Sequence, residues 1–305
     1  MNAVVAFIKL GRPLFLGGGF ILFALGAGIA AAAGHPIDLT RYALGQAAVT
    51  AFQLMTHYAN DYFDYDADLA NATPTAWSGG SRVLPDGLLP RSVALGAAVV
   101  LAGTGIVMTT SLALVGSGSW TTPTLAVVLV LAWLYSAPPL RLCARGLGEL
   151  DTALVVTVLV PWLGFYLQAP DLRGGAALAL TIVPLALLQF AMLLAIEFPD
   201  AAGDAATGKR TLVVRLGAPA AARLYAAITA VAFVWPLAAL ALGLPTRVAL
   251  AMLVPAPIAI WRISRLGDHA DRSAFERFTF FAVFLLVATS AAALVAWLAV
   301  QRSAS

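Results

Sequence analysis

Two clusters of acids stand out in a chain that is otherwise poor in charge. The first is Asn60-Asp61-Tyr62-Phe63-Asp64-Tyr65-Asp66-Ala67-Asp68, and the second is Asp200-Ala201-Ala202-Gly203-Asp204. On a helix turning about 100° per residue, Asp61, Asp64 and Asp68 share one face. His57, one turn earlier, joins that face; Asn60 lies at its margin and Asp66 points away. Asp200 and Asp204, four apart, likewise share a face. Neighbouring carboxylates repel, and some take up protons unless a cation lies among them. Hard oxygen donors on two facing helices suit Mg²⁺, which keeps part of its water and readily shares its shell with phosphate oxygens. Asn60, Asp61, Asp64, Asp68, Asp200 and Asp204 are therefore the candidate metal ligands. Lys209, Arg210 and Arg82 are the nearby bases left to bind the rest of a diphosphate. Isolated acids need no such account: Asp86, Asp268 and Asp271 read as solvated loop groups balancing basic neighbours.

The elements that carry these clusters must lie in lipid. The chain has 305 residues, 61% hydrophobic and 11% charged, with a mean hydropathy of +0.90. A soluble domain is roughly a quarter charged, so this chain has too few charged groups to cover a water-exposed surface. Apolar stretches recur at 13–33, 42–59, 92–112, 121–138, 149–168, 174–198, 219–243, 246–265 and 277–300, separated by tight breaks such as Gly34-His35-Pro36 and Gly243-Leu244-Pro245. The fold expected is an all-α polytopic bundle of about nine transmembrane helices forming one domain over 1–305. Lys9 and Arg12 before the first stretch, with Ala31-Ala32-Ala33-Gly34 after it, have the look of a signal peptide. The further spans that follow favour a retained anchor. Of the 18 basic residues, only Arg41, Arg173, Arg247 and Arg302 fall on the side opposite the N-terminus. The positive-inside rule then places the N-terminus, and the face bearing both acid clusters, in the cytoplasm, with the protein in the inner (cytoplasmic) membrane. Of the 15 acids, only Asp38 and Asp171 fall on the far side. A net charge of +3 without a basic stripe gives no nucleic-acid partner, and nothing calls for a protein partner. Cys143, the single cysteine, excludes an intrachain disulfide. His35, His57 and His269 are too scattered for a histidine metal site.

With these residues in view, the chain resembles the UbiA superfamily of intramembrane prenyltransferases. The resemblance is carried by Asn60-Asp61-x-x-Asp64-x-x-x-Asp68 and Asp200-x-x-x-Asp204. Gly11-Arg12-Pro13, Gly79-Gly80-Ser81-Arg82-Val83-Leu84, Tyr135-Ser136-Ala137-Pro138-Pro139, Gly146-Leu147-Gly148-Glu149 and Gly208-Lys209-Arg210-Thr211-Leu212 extend it. It implies a bundle around a central cavity open sideways to lipid. It also implies Mg²⁺ held by Asn60, Asp64, Asp68, Asp200 and Asp204, and transfer of a polyprenyl group from a polyprenyl diphosphate to an aromatic acceptor. Asp64, Asp68, Asp200, Asp204 and Tyr135 would be the catalytic residues, the Tyr135 hydroxyl lining the pocket. The Gly-Gly-Ser-Arg-Val-Leu and Gly-Leu-Gly-Glu segments resemble the branch acting on 1,4-dihydroxy-2-naphthoate in menaquinone synthesis. Glu197-Phe198-Pro199 departs from the polar, arginine-containing stretch of that branch, which keeps another acceptor such as 4-hydroxybenzoate as the alternative.

The supporting residues have plainer readings beside the functional ones. Arg12 either anchors the basic face or contacts diphosphate or acceptor. Arg141 reads first as an anchor and second as a substrate contact. His57 is either a hydrogen-bonded helix histidine or part of the substrate site. Lys209 is one of only two lysines, which favours a role at the diphosphate. Glu197, near the membrane end of a span, costs about 2.5–3.5 kcal/mol there unless paired, which favours a pocket-facing role towards the acceptor. Trp77 and Trp120 read as membrane-interface residues. A secondary transporter is the alternative of another class, since acids within membrane helices often mark ion paths.

Overall fold

The computed structural model describes residues 2–265 and 272–304; Asp268, His269 and Asp271 lie outside them. A short helix α1 (Ala3–Leu10) leads through Gly11-Arg12 into α2 (Pro13–Ala32), whose Pro13 suits a first helical position because it has no N–H to leave unpaired. Then come α3 (Leu39–Phe63), α4 (Tyr65–Ala70), α5 (Arg91–Leu114) and α6 (Thr121–Leu134). A 3-10 turn at Leu142–Arg145 precedes α7 (Gly148–Leu154), which runs through a wider π turn (Val155–Leu159) into α8 (Val160–Tyr166). Pro161 accounts for the widening: it donates no hydrogen bond, and its ring crowds the carbonyl one turn back. The chain continues with α9 (Gly175–Ala206), α10 (Leu212–Leu216), α11 (Ala218–Leu240), α12 (Thr246–Leu253), α13 (Ala256–Ser264) and α14 (Arg272–Ala304).

Each of the nine apolar stretches falls on helix, but among the described residues seven helical segments are both long and apolar enough to cross a bilayer. The other two depart for separate reasons. Helix α6 has only 14 residues, short of the ~20 needed to span. Helix α3 is long enough at 25 residues but interrupts its apolar surface with Gln46, Thr50, Gln53, Thr56, His57 and Asn60. That polar series is tolerated because much of it faces the centre of the bundle rather than lipid.

The bundle encloses a cavity of ≈ 210 Å³, walled by α2, α3, α6, α7, the π turn, α9 and α14. At 32 residues, α9 is about 48 Å long, well beyond a hydrocarbon core of about 30 Å. Its last turns, bearing Asp200 and Asp204, therefore emerge at the same end as the end of α3. On the bundle's flank, α2 and α8 pack backbone to backbone. A Cβ at Gly164 would run into the carbonyl oxygen of Phe23, whereas a Cβ at Gly17 would meet nothing. Small residues permit such contact between membrane helices. Gly164→Ala should therefore cost about 1–3 kcal/mol through overpacking, seen as a lowered melting temperature in detergent. Gly17→Ala should leave the melting temperature unchanged, and equal effects would refute the packing argument.

Candidate functional site

The end of α3, helix α4, the loop from Asn71 to Pro90, the turn after α6 and the end of α9 meet at one pole. Their approach depends on Gly203: a Cβ there would stand 3.0 Å from the Asn71 nitrogen and 3.1 Å from the Ala67 carbonyl. Both contacts are tighter than ordinary packing and both are to backbone, so glycine lets α9 press against the end of α4 without displacing it, which brings the second acid pair to the first.

Lys209 joins the two clusters. Its ammonium lies 2.9 Å from Asp64 Oδ2 and 3.4 Å from Asp204 Oδ1. Burial works against the charge on Lys209, but the pull of Asp64, with that of Asp204, holds its pKa well above the ordinary lysine range. Asp64 also accepts from Asn60 Nδ2 at 2.8 Å, and the same amide donates to Ser136 Oγ at 2.9 Å. This turns Asn60 Oδ1 towards Arg12, whose Nη2 lies 2.9 Å away. Asp200 is held by Asn71 Nδ2 at 2.6 Å and by the Gly79 N–H at 3.1 Å. Asp68 is buried, and its Oδ2 has no hydrogen-bond partner. Burial first, then the neighbouring Asp61 charge, push the Asp68 carboxyl well above the ordinary carboxylate range.

Asp61 is placed differently from its helical neighbours. It is enclosed by an ion pair with Arg12 and by the Ser81 backbone and hydroxyl, which ties the end of α3 to the loop. Asp66 is exposed, as its angular position on the helix predicts. The chain is not one continuous helix here: α3 stops at Phe63, and Asp64 sits in the junction before α4. Among the described residues no three His, Cys, Asp or Glu side chains are gathered closely enough to hold a metal ion as they stand. The ammonium of Lys209 stands between two of the candidate ligands.

Arg12, His57, Asn60 and Tyr135 line the cavity beside this pole. His57 Nδ1 lies 2.8 Å from the Gly11 carbonyl oxygen; a carbonyl only accepts, so Nδ1 carries the proton and Nε2 is the acceptor nitrogen. Other candidates lie outside the cavity wall. Arg82 donates to the Asp68 carbonyl and faces Asp86 at 3.4 Å. Arg141 and Arg210 are exposed on the surface of the pole. Glu197 is buried behind the wall, its Oε2 accepting the Val213 N–H at 3.2 Å, and neighbouring Glu149 is buried with neither carboxylate oxygen hydrogen-bonded.

The cavity also holds groups that the sequence did not single out. Asp151, Gln53 and Gln189 line it; a charge or amide within an apolar helix was the available signal. Trp77, expected at the membrane interface, instead lines the cavity. Its ring stands edge-on to Phe15 at 5.4 Å and lies 6.4 Å from Phe280. The loop carrying it is drawn inward by bonds from the Ala76 N–H to the Glu276 carboxylate, a long-range contact that local sequence does not reveal.

Known proteins resemble the chain in sequence and in fold. The UbiA prenyltransferase family model matches residues 20–285. The chain is 25% identical over 228 residues to 1,4-dihydroxy-2-naphthoate octaprenyltransferase of Bacillus subtilis (strain 168), covering 74% of this chain and 71% of that protein. Its fold is shared with an apo UbiA homolog from Aeropyrum pernix K1, with a TM-score of 0.66 and 17% identity over 90% of this chain and 97% of the other. It is also shared with a UbiA homolog from Archaeoglobus fulgidus bound to GPP and Mg²⁺, with a TM-score of 0.64 and 12% identity over 94% and 99%. A match of this extent to a transferase family leaves the transporter alternative without support. The chain is a member of the UbiA prenyltransferase family.

Proposed function

We propose that the protein transfers a polyprenyl group from a polyprenyl diphosphate to an aromatic acceptor, 1,4-dihydroxy-2-naphthoate, with Mg²⁺, at the cytoplasmic face of the inner membrane. The observation that carries this reading is the junction of two acid clusters through Lys209 beside a largely apolar cavity, with Asn60 of the first cluster on its wall. The curated relative supports the acceptor, and the neighbour bound to GPP and Mg²⁺ supports the donor and the metal. The excess of basic residues on the N-terminal side supports the orientation.

The donor set suits the metal. Asn60, Asp64, Asp68, Asp200 and Asp204 offer hard oxygens only, and Asp68 has a buried oxygen with no partner in the chain. These five would hold Mg²⁺, which when bound would draw electron density from the departing diphosphate. The side chains do the rest. Lys209 and Arg12 supply positive charge for the remaining diphosphate oxygens. Asp61 fixes the Arg12 guanidinium, so its part is positioning rather than ligation. The apolar walls take the isoprenoid chain and exclude water that would otherwise capture the allylic cation as the C–O bond breaks. Tyr135, on the cavity wall beside the pole, would stabilise developing positive charge on the reacting carbon.

With purified protein in lipid, a series of polyprenyl diphosphates and 1,4-dihydroxy-2-naphthoate, the expected outcome is a prenylated naphthoate detected by mass spectrometry and lost on chelation of Mg²⁺. A prenylated 4-hydroxybenzoate instead would keep the chemistry and overturn the acceptor. Asp64→Ala and Asp204→Ala should each lower turnover more than about 100-fold, the usual scale for losing a stabiliser of developing charge. Asp66→Ala should stay within about twofold of wild type, because that side chain faces solvent. Near-normal turnover in either of the first two variants, measured on correctly inserted protein, contradicts the proposed site.

A further inference from the structure

One buried acid takes no part in the machinery above. Asp151 lies in the first turn of α7, is only 7% exposed, and lines the cavity beside Tyr135, Thr152, Val155 and Val156. Its Oδ1 is shut off from solvent without a hydrogen-bond partner. Most buried acids of the pole have an identifiable partner: Asp61 has Arg12 and Ser81, Asp64 and Asp204 have Lys209, Asp200 has Asn71, and Glu197 has the Val213 N–H. Glu149 is also without a hydrogen-bond partner, but it does not line the cavity. Asp68 is accounted for by its place in the first acid cluster. Among the described residues no charged side chain forms an ion pair with Asp151. A carboxylate facing an apolar, membrane-embedded cavity without a donor is costly. A ligand that brings an O–H group removes that cost.

We propose that Asp151 is the catalytic residue that receives the aromatic acceptor, its carboxylate accepting the phenolic O–H and taking that proton as the ring attacks. The inference rests on the prenyl-transfer reading and adds to it the group that activates the ring. The allylic C–O bond breaks with both electrons leaving on the diphosphate. A ring carbon ortho or para to the hydroxyl forms the new C–C bond with a π pair. The O–H electrons move into the ring to make a C=O bond as the proton passes to Asp151, leaving a neutral dienone. Loss of the proton from the attacked carbon to the diphosphate restores the aromatic ring, and the ring oxygen recovers its proton from Asp151. The carboxylate therefore ends as it began. A carboxylate is suited to this step because it accepts without donating, and its charge strengthens the bond to the hydroxyl. The apolar side chains of Val155 and Val156 on the adjoining π turn suit an aromatic ring.

The test uses full-length protein in lipid, with Asp151→Asn and Asp151→Ala beside wild type, the acceptor, and the acceptor's O-methyl ethers. Wild type is expected to bind the hydroxylated acceptor roughly 10- to 100-fold more tightly than the ethers, the scale of one hydrogen bond to a charged group. In Asp151→Ala that preference should fall below about threefold. Asp151→Asn should lower turnover by at least about 100-fold, the usual contribution of a positioned base, with prenyl diphosphate binding unchanged in both variants. Wild-type turnover in either variant, or a hydroxyl preference that survives in Asp151→Ala, overturns the assignment. Loss of diphosphate binding in both variants also overturns it, since Asp151 would then be structural. A wild type that forms no prenylated product would overturn the prenyl-transfer reading instead, which separates the two failures.

Discussion

The ion pair between Lys209 and the two acid clusters is the interaction on which the arrangement of the pole depends. Asp64 comes from the end of α3 and Asp204 from the end of α9, and neither helix has a reason to approach the other while both end in negative charge. The buried ammonium supplies that reason. It sits on a loop fixed on both sides, by the Lys209 N–H on the Asp204 carbonyl at 2.8 Å and the Arg210 N–H on the Ala144 carbonyl at 2.9 Å. An ion pair of this kind gains little net stability, because desolvation offsets much of the attraction. Its effect is on specificity: it sets the register of two helices whose apolar surfaces alone would permit sliding.

The same constraint explains why α3 looks unlike a membrane helix. A cavity that is polar at the pole and apolar along the rest needs a wall that changes character along its length. Along α3 the cavity is lined by Val49 and Phe52, then Gln53, Thr56, His57 and Asn60 as the pole is approached. Each polar group in that series lies near a neighbour that can satisfy it. Gln53 donates to the Phe15 carbonyl at 2.9 Å, and Thr56 to the Phe52 carbonyl at 2.8 Å. The gradient lowers the hydropathy of the helix without exposing unpaired groups to lipid.

Sequence conveyed much of this and missed the parts that depend on distant contacts. The spans were legible because lipid imposes a simple length and polarity rule on each helix. The two acid clusters were legible because helical spacing places them on faces. The rule fails at α6, which is too short, and at the π turn, where one proline alters the period. Asp61 was legible as an acid on the right face, but not as the partner of Arg12, because that pairing depends on the turn at Gly11-Arg12. There Arg12 takes a left-handed backbone, φ +49°, which is costly for a residue with a Cβ and is held by its surroundings. Trp77 needed the contact of its loop with α14, far along the chain. Asp151 was hidden because an acid in the first turn of a helix has an ordinary explanation in the helix dipole. Only the enclosing cavity shows that this acid faces apolar groups.

A count of donors separates the acids more sharply than their spacing does. Asp61 is occupied by a guanidinium and by a serine's backbone and hydroxyl, so its charge is committed to the scaffold. Asp64 and Asp204 are held mainly by an ammonium on a side chain with four rotatable bonds, a partner that can be exchanged for another cation without moving the backbone. Asp200 has fixed donors, yet each carboxylate oxygen can accept more than one bond, so it keeps capacity for a further partner. Asp68 has an oxygen with no partner at all. The acids thus range from those committed to the scaffold to those with accepting capacity to spare. That order follows from which elements supply their donors: Asp61 is bound by the α1–α2 turn and the following loop, whereas Asp64 and Asp204 are bound chiefly across the space where cargo would lie.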